Sequence, residues 1–188
     1  MFLALWLVAA ILAYDSWFKH TWAGPLAMGT CRFLNVLLGI SASGTLLWPL
    51  GGYLALIVGC YIVGVTWFAR TEAQLSKQNM LRGAAALMLV SLLLALPLPL
   101  FRPEGRPSSF LFPYLLVALG FWVGRPVMRA IGSPAPSRVQ TAVERALLGL
   151  ILLDAVLATA TAGAAGLLIL VLLAPSLYLN RKSWLYAT

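Results

Sequence analysis

Long runs of apolar residues, separated by short clusters of charged, proline and glycine residues, extend along the whole chain. The runs are continuous and rich in Leu and Ala, and they lack the alternation of polar and apolar positions that marks the strands of a membrane β-barrel. A membrane-spanning helix needs about 20 apolar residues. The pattern therefore predicts an all-α fold, a polytopic transmembrane helical bundle of about seven spans that forms a single domain over residues 1–188. The predicted spans are 1–14, 24–40, 45–69, 82–101, 109–128, 142–161 and 163–181.

Composition indicates the same class of protein. Of the 188 residues, 62% are hydrophobic and 10% are charged, and the mean hydropathy is +0.94. These values exclude an ordinary soluble domain, because such a domain carries about 25% charged residues. We therefore expect an integral membrane protein with no separate water-soluble active site.

The basic residues between the runs are distributed unevenly. With seven spans, ten of them fall on one side of the membrane and two, Arg102 and Arg106, fall on the other. The ten are Lys19, Arg70, Lys77, Arg82, Arg125, Arg129, Arg138, Arg145, Arg181 and Lys182. The positive-inside rule places the richer side in the cytoplasm, and the compact loops fit a bacterial cytoplasmic membrane. Topology and anionic lipid head groups explain the net charge of +8, so we expect membrane lipids and no nucleic acid as partners.

The second run carries an arginine and an amide, Arg32 and Asn35, which lie three residues apart and share one helical face. A charged guanidinium in hydrocarbon is costly, so Arg32 is expected to face a protein interior or a wet cavity. Two interpretations follow. Asp154 on the sixth run can neutralise Arg32 as a structural ion pair. Alternatively, Arg32 lines a phosphate-binding pocket together with Lys19 and Arg70 from the cytoplasmic helix ends.

Several stretches of the chain resemble the UbiA-type intramembrane prenyltransferases. They are the helix end Tyr14-x4-Lys19, the stretch GPLAMGTCRFLNVLLG from Gly24 to Gly39, and the glycine-rich helix GCYIVGVTWFARTEA that follows. The later segment RVQTAVERALLGLILLDA is similar to the closing helices of bacterial members. The resemblance is to the carboxy-terminal two-thirds of the family, and the family's first aspartate-rich motif belongs to a part that precedes residue 1. The chain is therefore expected to be truncated at its amino terminus relative to the family.

The resemblance implies an enzyme that transfers an isoprenoid group from a prenyl diphosphate to an aromatic or other lipophilic, lipid-forming acceptor within the membrane. The allylic diphosphate ionises, Mg²⁺ and basic side chains stabilise the departing diphosphate, and an acceptor carbon captures the carbocation. The site faces the cytoplasm, and the prenyl tail lies in an apolar lateral cleft. The implied catalytic residues are Arg32, Lys19 and Asn35, and the implied substrate-binding residues are Tyr14, Arg70, Trp67, Phe68 and Asp154.

The implied magnesium ligand is Glu72. The family holds Mg²⁺ with two aspartate-rich motifs, and at the position similar to the second motif this chain reads TWFARTEA, with Glu72 as its one carboxylate. Because Mg²⁺ relies on one or two carboxylates together with phosphate oxygens and water, a second chain is one way to complete the site.

Two other functions remain open. The chain is alternatively a noncatalytic membrane partner that keeps the bundle without the complete chemistry. A further alternative is a small-anion transporter subunit in which Arg32 and Asp154 form a gated pair. Transporters usually carry internal repeats, and the two halves of this chain show none.

Overall fold

The computed structural model describes residues 2–42, 49–70, 78–101 and 110–178, and all the regular structure in these ranges is helical. The main α-helices in these ranges are α1 (Phe2–Ser16), α2 (Gly24–Ser41), α3 (Leu50–Arg70), α4 (Gln78–Ala95), α5 (Leu111–Gly132) and α6 (Pro136–Ala162). Three 3₁₀ segments accompany them, at Phe18–His20, Leu98–Phe101 and Gly163–Leu172. The prediction of an all-α fold is confirmed.

Four of the described helical stretches are long and apolar enough to cross a membrane: Leu50–Arg70, Gln78–Ala95, Leu111–Gly132 and Pro136–Tyr178. These helices support the assignment to the integral membrane proteins, but they do not confirm a count of about seven spans. The first predicted span is helical over 15 residues, which is short of the length that crosses a bilayer. The sixth predicted span and residues 163–178 of the seventh fall within the 43-residue stretch that ends at Tyr178, and residues 179–181 lie outside the described residues.

The chain forms two compact units, Met1–Ala95 and Leu96–Thr188. In the first unit α3 is the central helix, because it packs against α2 on one side and α4 on the other. Glycines make both contacts close. The Cα of Gly29 on α2 lies so near α3 that an added Cβ would stand 2.9 Å from the carbonyl oxygen of Gly59, and a Cβ on Gly64 would stand 3.0 Å from the carbonyl oxygen of Ala84 on α4. Small residues of this kind allow helix backbones to approach in a membrane.

A hydrogen bond adds to the α3–α4 contact. The Tyr53 hydroxyl donates to the backbone carbonyl of Leu94 at 2.6 Å. Because water is scarce in the hydrocarbon region, a hydroxyl there needs a partner within the protein.

In the second unit α5 packs against α6, and the connection between them is short. The buried face of α6 includes Val139, Ala142, Ala146, Gly149 and Leu153, which follow offsets of three and four residues. This spacing is that of one helical stripe facing a neighbouring helix. Pro136 occupies the first turn of α6, where the missing N–H leaves no hydrogen bond unmade.

The chain folds back on itself at the end of α6. Gly163 adopts φ 70, a backbone conformation that favours glycine because it has no Cβ. Gly166 then comes so close to α6 that an added Cβ would stand 2.9 Å from the Cα of Thr159. The 43-residue apolar stretch is therefore interrupted by a turn where the sequence places the boundary between its last two predicted spans. The prediction that residues 1–188 form one membrane-embedded domain stays a prediction.

Candidate functional site

Arg70, at the carboxyl end of α3, binds the connection between α1 and α2. Its guanidinium donates one hydrogen bond to the carbonyl of Thr21 and another to the carbonyl of Lys19, the latter at 3.1 Å. A guanidinium has five N–H groups, and these two hydrogen bonds to described residues use two of them. Gly24 makes this approach possible, because a Cβ at that position would stand 3.2 Å from Arg70 Nη1 and 2.8 Å from the carbonyl oxygen of Phe18.

Two tryptophans lie at the same end of the first unit. The rings of Trp22 and Trp67 meet edge to face, with centroids 6.0 Å apart and an interplanar angle of 88°. Trp67 precedes Arg70 by three residues on α3, so both side chains leave the same side of the helix. The structure thus brings together three of the predicted site residues, Lys19, Trp67 and Arg70. The ammonium-bearing side chain of Lys19 is exposed.

An apolar groove of about 280 Å³ runs between α1 and α2 beside this basic end. Its lining joins the end of α1 to the start of α2, because Phe18 and Ala23 flank the connection that Arg70 holds. The groove is open because small side chains line much of it; the lining residues are Ala10, Ala13, Phe18, Ala23, Leu26, Ala27 and Thr30. The resemblance implies an apolar lateral cleft, but the sequence does not place it between α1 and α2. Its signal was the spacing of small residues by three and four positions on both helices.

Arg32 and Asn35 lie on the exposed edge of α2. Buried positions nearby on α2 include Gly29, which meets Gly59 of α3, and Cys31. Arg32 lies outside this close contact. The expectation that Arg32 faces the interior of the bundle is not met within the first unit. Arg32 is eight residues after Gly24, so its Cα stands about 12 Å along the helix from the basic end.

The remaining predicted residues are dispersed. Phe68 is 0% exposed, a position that favours core packing over contact with substrate. Tyr14 is half-buried on α1, and Asp154 is half-buried on α6 in the second unit. Because Arg32 and Asp154 belong to different units, their pairing stays a prediction.

Carboxylates that could hold Mg²⁺ are sparse in the part of the chain that the structure describes. No group of three or more His, Cys, Asp or Glu residues occurs there. Asp15, on α1, is the one carboxylate among the described residues of the first unit, and Glu72 lies outside the described residues. Proteins usually hold Mg²⁺ through one or two carboxylates together with phosphate oxygens and water. Magnesium binding stays a prediction.

The basic end and the groove together are the candidate site. Lys19, Arg70 and the two tryptophans supply positive charge and aromatic surface, and the α1–α2 groove supplies an apolar surface that includes their chain neighbours Phe18 and Ala23. Comparison of the chain with protein-family models, with curated proteins and with solved structures finds no match.

Proposed function

We propose that this chain is a UbiA-like prenyltransferase that binds a prenyl diphosphate in the first unit and transfers its isoprenoid group to a lipophilic acceptor within the membrane. One observation supports the proposal above the others. Arg70 binds the connection between α1 and α2, and Phe18 and Ala23, which flank this connection, line an apolar groove between the two helices. A ligand suited to both needs an anionic head and a long apolar tail, and a prenyl diphosphate has this form.

The head group would bind at the connection between α1 and α2. Lys19 is exposed, and the hydrogen bonds of Arg70 to described residues use two of its five guanidinium N–H groups. Guanidinium and ammonium groups suit phosphate oxygens because charge-assisted hydrogen bonds to them are short and strong. The tail would lie along the groove lined by Ala13, Ala27 and Thr30.

The reaction requires one bond to break and one to form. The bond between C1 of the allylic chain and the diphosphate oxygen breaks, and its electron pair leaves with the diphosphate. The acceptor carbon then donates an electron pair to C1, forming a C–C bond, and the acceptor loses a proton. Positive charge near the leaving group lowers the barrier because it stabilises negative charge that develops in the transition state. The faces of Trp22 and Trp67 carry negative potential suited to the allylic cation.

The test is a transfer assay with the purified chain, labelled prenyl diphosphates of several lengths, aromatic acceptors and magnesium. Labelled product from the unmodified protein is the expected result. Lys19→Gln should raise the KM for the diphosphate by about tenfold, which corresponds to about 1.4 kcal/mol of lost binding. Arg82→Gln removes the same charge from an exposed position on α4 and should change KM less than twofold.

A second pair of variants tests the groove. Ala27→Phe places a ring in the groove and should weaken long-chain substrates more than short ones, whereas Ala86→Phe adds the same ring to an exposed position on α4. Binding of prenyl diphosphate without product would favour the noncatalytic partner. Flux of a small anion across vesicles without product would favour the transporter subunit. If no prenyl diphosphate binds, or if Lys19→Gln and Arg82→Gln behave alike, the proposed site is wrong.

A further inference from the structure

A second basic cavity lies between α5 and α6 in the second unit. It has a volume of about 670 Å³, within the range of small-molecule sites. Four arginines line it: Arg125 and Arg129 from α5, and Arg138 and Arg145 from α6.

Helical spacing explains why the four guanidinium groups converge. Arg125 and Arg129 are four residues apart, so they share one face of α5. Arg138 and Arg145 are seven residues apart, two turns, and so they share one face of α6. The short connection then holds the end of α5 beside the start of α6, and the two arginine faces meet.

The described residues that line the cavity include several hydrogen-bond donors and no carboxylate. Within the described ranges, none of the four arginines forms an ion pair. The indole N–H of Trp122, another lining residue, is buried and has no hydrogen-bond partner among those residues. Four like charges around one cavity repel one another, and an anion inside it would offset this repulsion.

Aromatic rings orient two of the arginines. The guanidinium carbon of Arg125 lies 5.6 Å from the ring centre of Phe121, and that of Arg145 lies 4.9 Å from the ring centre of Trp122. Cation–π contacts of this kind restrict the side chain while they leave its N–H groups able to donate in the guanidinium plane. Arg125 and Arg145 are therefore preorganised for a ligand with several oxygen acceptors.

We infer that the α5–α6 cavity is a second anion site, which binds a phosphate or diphosphate group. Arginine rather than lysine is used at all four positions, and its planar fork matches phosphate oxygens in pairs. Apolar wall residues such as Ala118 and Phe121 adjoin the arginines, so the phosphate-bearing ligand can be amphiphilic. A membrane phospholipid and a free diphosphate both present this chemistry.

Binding measurements on the full chain in nanodiscs distinguish these two sources. One arm uses nanodiscs of phosphatidylcholine and measures binding of radiolabelled inorganic pyrophosphate. The other arm adds phosphatidic acid to the nanodiscs and measures the lipid that stays with the protein by native mass spectrometry. Both arms use the Lys19→Gln background, which removes an ammonium from the first unit's candidate site. If the first unit's candidate site binds no diphosphate, the test of the α5–α6 cavity is unaffected.

Loss of the arginines should abolish the binding. The double variant Arg125→Gln/Arg145→Gln should weaken binding at least tenfold in whichever arm gives a signal, and Arg82→Gln should leave it within twofold. Arg138→Gln, at an exposed position, offers a milder variant should the double variant fail to fold, and it should weaken binding severalfold. Retention of phosphatidic acid alone assigns the site to a lipid head group, and pyrophosphate binding alone assigns it to a free anion. No binding in either arm, or equal binding by the arginine variants and Arg82→Gln, would overturn the inference.

Discussion

The contact between α2 and α3 positions the candidate site, and it depends on Gly29. A methyl group at this position would overlap Val63 Cγ2 and stand 2.9 Å from the carbonyl oxygen of Gly59. The first neighbour is a side chain, but the second is backbone and moves only with its whole helix. We predict that Gly29→Ala separates α2 from α3 and destabilises the first unit.

A matched variant on the same helix isolates this steric effect. Gly39 has no atom within 4 Å of the place where its Cβ would lie. Both variants gain the same increment of helix propensity, so the difference between them reports the overlap alone. Overpacking of a close contact costs about 1–3 kcal/mol, which in a chain of this size lowers the melting temperature by about 2–12 °C. Gly29→Ala should therefore melt lower than Gly39→Ala by that amount.

Cysteines on α2 and α3 can report the melting of the first unit. The chain has two cysteines, Cys31 on α2 and Cys60 on α3, which are buried and half-buried, respectively. A dye that fluoresces when it reacts with a thiol would report their exposure as the detergent-solubilised protein is heated. Should Gly29→Ala melt at the same temperature as Gly39→Ala or above it, the close approach of the two helices would be wrong.

Two further predictions concern other contacts. Tyr53→Phe removes the hydroxyl that donates to Leu94 and should lower the free energy of unfolding, measured by denaturant titration, by about 0.5–1.5 kcal/mol. An unchanged free energy of unfolding would mean that this hydrogen bond does not stabilise the α3–α4 contact. Gly166→Ala places a methyl group against the backbone of Thr159 and should lower the melting temperature, whereas Gly120→Ala, with open space around it, should not. Equal melting temperatures for the two variants would contradict the fold-back after α6.

The position of most helices followed from the apolar runs. The predicted spans 24–40 and 109–128 correspond to α2 (Gly24–Ser41) and α5 (Leu111–Gly132), because a continuous run of apolar residues favours a helix wherever it lies. Helix α6 began earlier than expected, at Pro136 rather than residue 142. Its first turns are polar on one side, but Val139 is fully buried, and packing of that face extends the helix beyond the apolar run.

The candidate site was predictable only in part. Sequence reasoning placed Lys19, Trp67 and Arg70 at one end of the bundle, because each lies at the end of an apolar run on the same predicted side. It did not place Arg32 on the outer edge of α2, since that depends on which face of the helix α3 covers. Nor could the sequence assign Phe68 to the core. A phenylalanine near a helix end gives the same sequence pattern whether its ring is buried or lines a pocket.

The amino-acid sequence alone indicates a helical membrane protein that is basic on one predicted side. These properties depend on composition and on the order of apolar and charged residues, and not on which residues come into contact. Tertiary structure alone decided which side chains meet. Arg70 donates hydrogen bonds to the carbonyls of Lys19 and Thr21, about 50 residues earlier in the chain. Four arginines line one cavity between α5 and α6. Helical periodicity orders residues along one helix. It carries no information about the rotation of that helix against its neighbour, and this rotation creates both the groove and the arginine cavity.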